Sequence, residues 1–314
     1  MLETQGRTYP VEIRYIAATD SKPPWERATA ALRDLLESNT EGDVLIFMPG
    51  AYEIRRTIEP ARKSLRKFAA SLKFFPLHGS LSASQQDAAM EFSAQLNIIV
   101  ATNVAETSIS IEGVRHVIDS GLARIHRHDP HRGIDVLLVE AISAAATEQR
   151  AGRAGRTAPG TCTRLWARAD QEARPAHDTP EIRRLDLADA VLQLKALGIA
   201  EIGLFPWLEK PEDEALDRAH HLLKGLGALD AAGGLTALGA QMARLPLHPR
   251  LSRLLIAAAQ YHCLKRAAIW AALIGERDVL TYPLQGRYTQ AVSYTQLRAH
   301  ETEADLVCRL LLDK

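Results

Sequence analysis

The chain has 314 residues, with 38 Lys plus Arg balanced by 38 Asp plus Glu, 46% hydrophobic and only 5% aromatic residues. That is enough for two or three globular domains with mostly aliphatic cores, and the charge balance excludes a module that holds nucleic acid by bulk charge, so any such contact must come from locally placed donors. Three scattered cysteines, Cys162, Cys263 and Cys308, with no CxxC pair, exclude a disulfide frame or zinc ribbon, and the lack of an apolar run of about 18 residues gives no membrane span; a cytoplasmic protein is expected.

Residues 1–175 alternate short apolar runs with helical stretches. Strands are predicted at Val11–Ile16, Val44–Met48, Lys73–Leu77, Asn97–Ala101, His116–Asp119 and Thr161–Trp166. Helices are predicted at about 25–38, 51–70, 83–93 and 142–153. Such alternation argues for an α/β fold with a parallel sheet and helices on both faces. Ser82 followed by Gln85 reads as a capping box opening one helix. Residues 168–180 are polar, carry Pro175 and Pro180, and read as a linker. Beyond them Leu/Ala periodicity takes over, with amphipathic helices predicted at Leu187–Leu197, Glu212–Leu226 and Pro249–Tyr261. The run from Asp230 to Gly234 is a tight turn between Leu229 and Leu235, and helices followed by a small hairpin suit a winged-helix unit.

The residues that carry chemistry lie in the first part. In the run from Glu148 to Arg156, a helix would place Gln149, Arg153 and Arg156 on one face, and Gly152 and Gly155 would leave a groove for a close approach. Two guanidiniums and an amide suit a polyphosphate, because planar, always-charged Arg stabilises charge on a transferring phosphoryl group. A solvated basic helix end would carry the same residues. Upstream, an apolar strand ends at Ala101 and runs directly into Thr102, Asn103, Glu106, Thr107 and Ser108. Ligands collect at the carboxyl ends of parallel strands, and short hydroxyl and amide side chains there touch phosphate without reading bases. A hydroxyl-rich helix cap is the alternative. Two further pieces are the run from Val44 to Gly50, and the strand and turn from Phe75 to Leu81, where His78 is read as structural.

In this order and spacing the four pieces resemble motifs IV to VI of superfamily 2 helicases, most of all the DEAH-box RNA helicase family of the bacterial HrpA/HrpB type. Thr102 to Ile109 looks like motif V and Gln149 to Arg156 like motif VI. The resemblance covers roughly residues 3–285, starting with Leu2 to Val11, which is similar to the segment after motif III. It implies a second RecA-like domain over 1–175, a winged helix over 176–235 and the start of a helical bundle over 236–290.

The same resemblance implies the roles. Arg153 and Arg156 would be arginine fingers, with Gln149 placing the attacking water or the γ-phosphate. Both guanidiniums must then project toward an open crevice. Thr102, Asn103, Gly79 and Ser80 would touch the RNA backbone, and Glu106, Thr107 and Ser108 would couple that contact to the nucleotide. Leu122–Val139 would form a β-hairpin with its tip near Asp129–Gly133, Arg132 facing RNA. ATP and Mg²⁺ are the implied cofactors. RNA, a first RecA-like domain and an activating protein are the implied partners.

Departures from the family pattern matter as much. Neither a G-x-x-x-x-G-K-[ST] loop nor a DEAH box occurs in these residues, so this stretch by itself is expected to hydrolyse no ATP and to be a part of a longer helicase. Gln85-Gln86 is followed by Met90 and then Phe92, in place of a base-stacking aromatic, which implies weak nucleotide selectivity. Residues 291–314 resemble nothing in the family and read as a non-native tail. A non-catalytic RNA- or protein-binding module and a DNA-directed helicase are the alternatives, since backbone contacts carry no base information.

Overall fold

The computed structural model describes residues 9–16, 22–38, 41–88, 95–107, 111–129 and 134–275. The chain divides into two compact units, Met1–Pro180 and Glu181–Lys314. No described helix is long and apolar enough to cross a membrane.

The first unit is a six-stranded parallel sheet in the order β1-β8-β5-β2-β4-β3. Its strands are β1 (Val11–Tyr15), β2 (Asp43–Phe47), β3 (Leu72–Leu77), β4 (Leu96–Ala101), β5 (Val114–Asp119) and β8 (Gly160–Arg164). Each lies within about two residues of its predicted position; the central strands β2 and β4, buried on both faces, are written as nearly uninterrupted apolar runs, whereas the edge strand β1 alternates in burial. Alternate residues then feed two cores. Val44, Ile46, Ile98 and Val100 face one side, where α1 (Pro24–Glu37) and α2 (Ala51–Ser64) contribute Ala28, Leu32, Ile54 and Ile58. Leu45, Phe47, Ile99 and Ala101 face the other, with Ala151 from α5 (Ala144–Ala151). The expected single helix over 51–70 is broken at Ser64 and continues as a 3₁₀ segment, Arg66–Ser71.

The capping box forms in half. Gln85 Oε1 accepts from the Ser82 amide at 3.1 Å, while the Ser82 hydroxyl turns to Ser84 and Gln85 instead of the helix amides. The helix it opens, α3 (Ala83–Ala88), is described only to Ala88. A short helix, α4 (Val104–Thr107), follows β4. The expected hairpin is present as β6 (Leu122–Asp129) antiparallel to β7 (Ile134–Ala141), with Leu122 opposite Ala141 and Asp129 opposite Ile134.

Residues 168–180, read as linker, fall within the first unit. After α6 (Arg168–Glu172), Ala144 and Ala145 amides donate to the Pro175 and Ala176 carbonyls, and the Ser143 amide donates to Asp178. The start of α5 therefore holds residues 175–178.

The second unit contains α7 (Ala188–Ala196), α8 (Asp213–Gly225), α9 (Ala237–Met242), α10 (Pro249–Gln260) and α11 (Leu264–Gly275). Leu229 and Leu235 pair across the predicted turn, where Gly233 takes φ 85°, a conformation open to glycine. Val191, Leu192, Leu216, Leu223 and Met242 form its main core.

Candidate functional site

All six parallel strands point the same way, so their carboxyl ends form one edge of the sheet. Backbone bonds carry the ladder past the strands: Met48 N–H donates to Ala101 O at 2.8 Å, Thr102 N–H to Leu77 O at 3.0 Å, and Ser120 N–H to Phe47 O at 3.2 Å. The turns leaving this edge are thus fixed next to one another. A Cβ on Gly79 would lie 4.0 Å from Val104, so the Gly79–Ser80 turn stands beside the start of α4. Gly79, Ser80 and Asn103 are exposed and Thr102 is half-buried. The structure therefore brings together four of the five residues assigned to RNA.

Motif VI is built differently from its predicted form. The helix α5 opens on a Ser143 cap, whose hydroxyl accepts from Ala146, and ends at Ala151 with Gly152 as C-cap. Arg153 and Ala154 amides then bond back to the Arg150 and Ala151 carbonyls, closing tighter turns. Gln149, Arg153 and Arg156 therefore do not share a helix face. Gln149 and Arg156 are exposed, whereas Arg153 is only 5% exposed and donates to the backbone carbonyl of Glu106. Burial and the neighbouring Arg156 pull its pKa below the ordinary arginine value, with Glu106 opposing them. Gly155 is needed inside its own chain. Its carbonyl accepts from Tyr9 N–H at 2.8 Å, and an added Cβ would meet Tyr9 O at 2.5 Å. The close approach made by Gly155 is to the N-terminal edge strand of the sheet.

Sequence reasoning misses Arg150. It is fully buried, donating from Nε to Glu106 at 3.0 Å and from Nη1 to Asp119 at 2.9 Å and Leu122 O at 3.2 Å. It also stacks over Phe47 at 4.7 Å. Burial works against its cation, but Asp119 and Glu106 outweigh that and hold the pKa above its usual value. One side chain thus ties motif V, the end of β5 and the root of the hairpin. The signal that could have found it is helical spacing: Ala146, Thr147, Arg150 and Ala151 fall together on the inner face of α5.

A second arginine secures the same root. Arg174 Nη1 donates to Gly121 O at 3.1 Å and Ile142 O at 2.5 Å, while its guanidinium lies 4.3 Å from the centre of the Trp166 ring. At the other side, Arg124 of β6 approaches Glu53 of α2 at 3.6 Å.

The donor set on motif VI fits phosphate oxygens. It does not fit a divalent cation, because Glu106, the carboxylate beside it, is engaged by Arg150; among the described residues no group of three or more His, Cys, Asp or Glu side chains could hold a metal. Met90, Ser108 and Arg132 lie outside the described residues, as do the side chain of Thr107, the hairpin tip at 130–133, residues 1–8 and the tail 291–314.

The chain matches the helicase conserved C-terminal domain over residues 27–158 and the helicase-associated HA2 winged-helix domain over 219–247. It is 37% identical over 317 residues to the ATP-dependent RNA helicase HrpA of Escherichia coli K12, and 35% identical over 321 residues to the HrpA homologue of Haemophilus influenzae. Those alignments take in 98% and 99% of this chain and 24% of each relative, so the chain spans about a quarter of the proteins it matches. At that coverage they reach into residues 291–314. The crystal structure of the E. coli DEAH/RHA helicase HrpB superposes with a TM-score of 0.84 at 32% identity over 98% of this chain and 38% of that one. With Arg150 and Arg153 of motif VI bonded to Glu106 of motif V, an HA2 match after the sheet and HrpA- and HrpB-type relatives over nearly its whole length, the chain belongs to the DEAH-box helicase family of the HrpA/HrpB type.

Proposed function

We propose that this chain is the second motor domain and adjoining accessory region of an ATP-dependent RNA helicase, which couples nucleotide hydrolysis to movement along RNA. The accessory region is a winged helix ending near residue 235 followed by the start of a helical bundle. Arg156, exposed at the end of motif VI, reaches the nucleotide held by a phosphate-binding partner domain. Arg153 exchanges the Glu106 carbonyl for a phosphate oxygen when that domain closes, and Gln149 places the water. ATP with Mg²⁺ supplies the reacting phosphoryl group, the metal being held by the partner domain. Thr102, Asn103, Gly79 and Ser80 hold the RNA backbone.

The observation that carries this reading is the bond from Arg153 to Glu106 O. It joins the nucleotide-facing turn to the segment that leaves β4 toward RNA, which is the linkage a motor needs. The test is phosphate release. The chain alone should turn over no ATP. Joined to a first motor domain carrying a phosphate loop, it should show RNA-stimulated turnover, and Arg156→Lys should cut kcat by roughly a thousandfold, the lower bound for an arginine finger. Turnover by the chain alone, or an unchanged kcat in Arg156→Lys, would refute the assignment. Stimulation by single-stranded DNA equal to that by RNA would point to the DNA-directed alternative.

A further inference from the structure

The chain is neutral overall, yet residues 51–71 hold six basic and two acidic side chains. They fall on α2 and the 3₁₀ segment after it. Ile54, Ile58, Ala61 and Leu65 are buried at i, i+4, i+7 and i+11, and this fixes which side of the helix faces out. The outer side then carries two adjacent rows at the same spacing: Arg55, Glu59, Arg62 and Arg66 in one, Arg56, Lys63 and Lys67 in the other. All seven are exposed.

Among the described residues little neutralises these rows. Lys67 pairs with Glu37 at 2.6 Å, both well exposed, and Glu59 lies within the first row. Glu53 is turned inward toward Arg124. Among the described residues no carboxylate pairs with Arg55, Arg56, Arg62, Lys63 or Arg66. A solvated helix face ordinarily mixes its signs, whereas this one sets six cations against the single carboxylate of Glu59 over roughly 20 Å, at 1.5 Å per residue.

The stripe also has a direction and an aromatic end. The helix α2 leaves the functional edge at Gly50, so Arg55 and Arg56 stand near the RNA-side turns while Arg66 and Lys67 stand toward the opposite edge. In its first turn, Tyr52 is 48% exposed. Its ring is held edge-on to Trp25 at 5.9 Å, with Arg55 5.8 Å from its centre. An exposed ring on a rigid mount beside a row of cations is how single strands are held without regard to sequence, by stacking and backbone attraction.

We infer that the outer face of α2 and its 3₁₀ extension is a second RNA-backbone surface, which takes a single strand leaving the Gly79–Thr102 edge and guides it down the flank of the domain. It rests on the proposed helicase function only for the choice of RNA as the polyanion. A long strand would engage both surfaces and a short one only the edge, so the stripe sets affinity for length and steepens salt dependence.

Fluorescence anisotropy of the full 314-residue chain with labelled oligouridylates, short and long, tests this across a salt series. The stripe variant is Arg62→Gln, Lys63→Gln, Arg66→Gln and Lys67→Gln together. These side chains are exposed, and an unchanged melting curve confirms the fold. Affinity for the long strand should fall at least tenfold at low salt, with the log–log salt slope reduced by about 0.7 for each phosphate that is no longer neutralised, while short-strand affinity is kept. The edge variant Thr102→Ala with Asn103→Ala should weaken both lengths. If the stripe variant keeps the long-strand affinity and slope, the inference is overturned. It is equally overturned if the unmodified chain ignores RNA, or binds anionic phospholipid vesicles through the stripe in its place. If only the edge variant is silent, the stripe stands and the edge assignment falls.

Discussion

Arg150 and Asp119 meet at 2.9 Å with neither side chain reaching water. The pair joins the inner face of α5 to the last residue of β5. Asp119 Oδ1 also accepts from Gly121 N–H at 2.8 Å, so the same carboxylate shapes the turn into the hairpin. Removing one partner of a buried pair strands the other charge. Arg150→Met should therefore cost about 3–5 kcal/mol of unfolding free energy, measured by urea denaturation. A loss under about 1 kcal/mol would show that the pair is not the anchor described.

The two glycines of motif VI should respond differently to a methyl group. At Gly155 the added carbon meets the Tyr9 carbonyl at 2.5 Å, which is backbone that cannot yield easily, and a Val11 side-chain methyl at 2.8 Å. At Gly152, φ is −60° and the nearest atoms lie 3.4 Å away. Gly155→Ala is expected to destabilise the first unit by about 1–3 kcal/mol, the usual range for overpacking, and Gly152→Ala to change it by no more than about 0.5 kcal/mol. Thermal melts of the two variants side by side decide this, and equal melting temperatures would contradict it.

His116 gives a pH dependence. Its Nδ1 lies 2.9 Å from the Thr161 hydroxyl and its Nε2 3.0 Å from Glu41 O. Burial lowers its pKa below the ordinary 6.5, the Glu41 carbonyl pulls it back, and Arg115 and Arg14 lower it further. The neutral ring is thus the folded form. Its contribution is intact above the unfolded value and is lost as pH falls from about 6.5 toward the folded value, because the unfolded chain takes the proton first. The unfolding midpoint should drop over that window in the unmodified chain, and His116→Gln should flatten the drop. Parallel pH profiles for both would remove His116 as the cause.

In the second unit, Asp186 accepts from Ala188 N–H at 2.9 Å and from His248 Nε2 at 3.1 Å, where His248 is the N-cap of α10. One carboxylate therefore serves the starts of two helices. Asp186→Ala should cost about 1–2 kcal/mol, in the range for removing a helix cap. Faster amide exchange confined to the first turns of α7 and α10 would locate the effect, and unaltered exchange at both would dismiss it.

The sequence by itself determined the sheet and the order of its motifs. Val44 to Phe47 and Asn97 to Ala101 are apolar at every step but Asn97, a pattern that only a strand covered on both faces can use. Tertiary structure alone decided where motif VI points. The expected common face of Gln149, Arg153 and Arg156 assumes that the helix continues, but Gly152 ends it and the next turn tightens. Arg150 reads as one more basic residue until Asp119 and Glu106, 31 and 44 positions away, arrive to receive it. The charges of α2 are likewise plain in the sequence, while the side they occupy is set by Ile54, Ile58, Ala61 and Leu65 finding the sheet. Strands are written in local periodicity, which one chain segment carries alone. A buried ion or an outward stripe depends on groups that only folding brings within reach, and its meaning is fixed there.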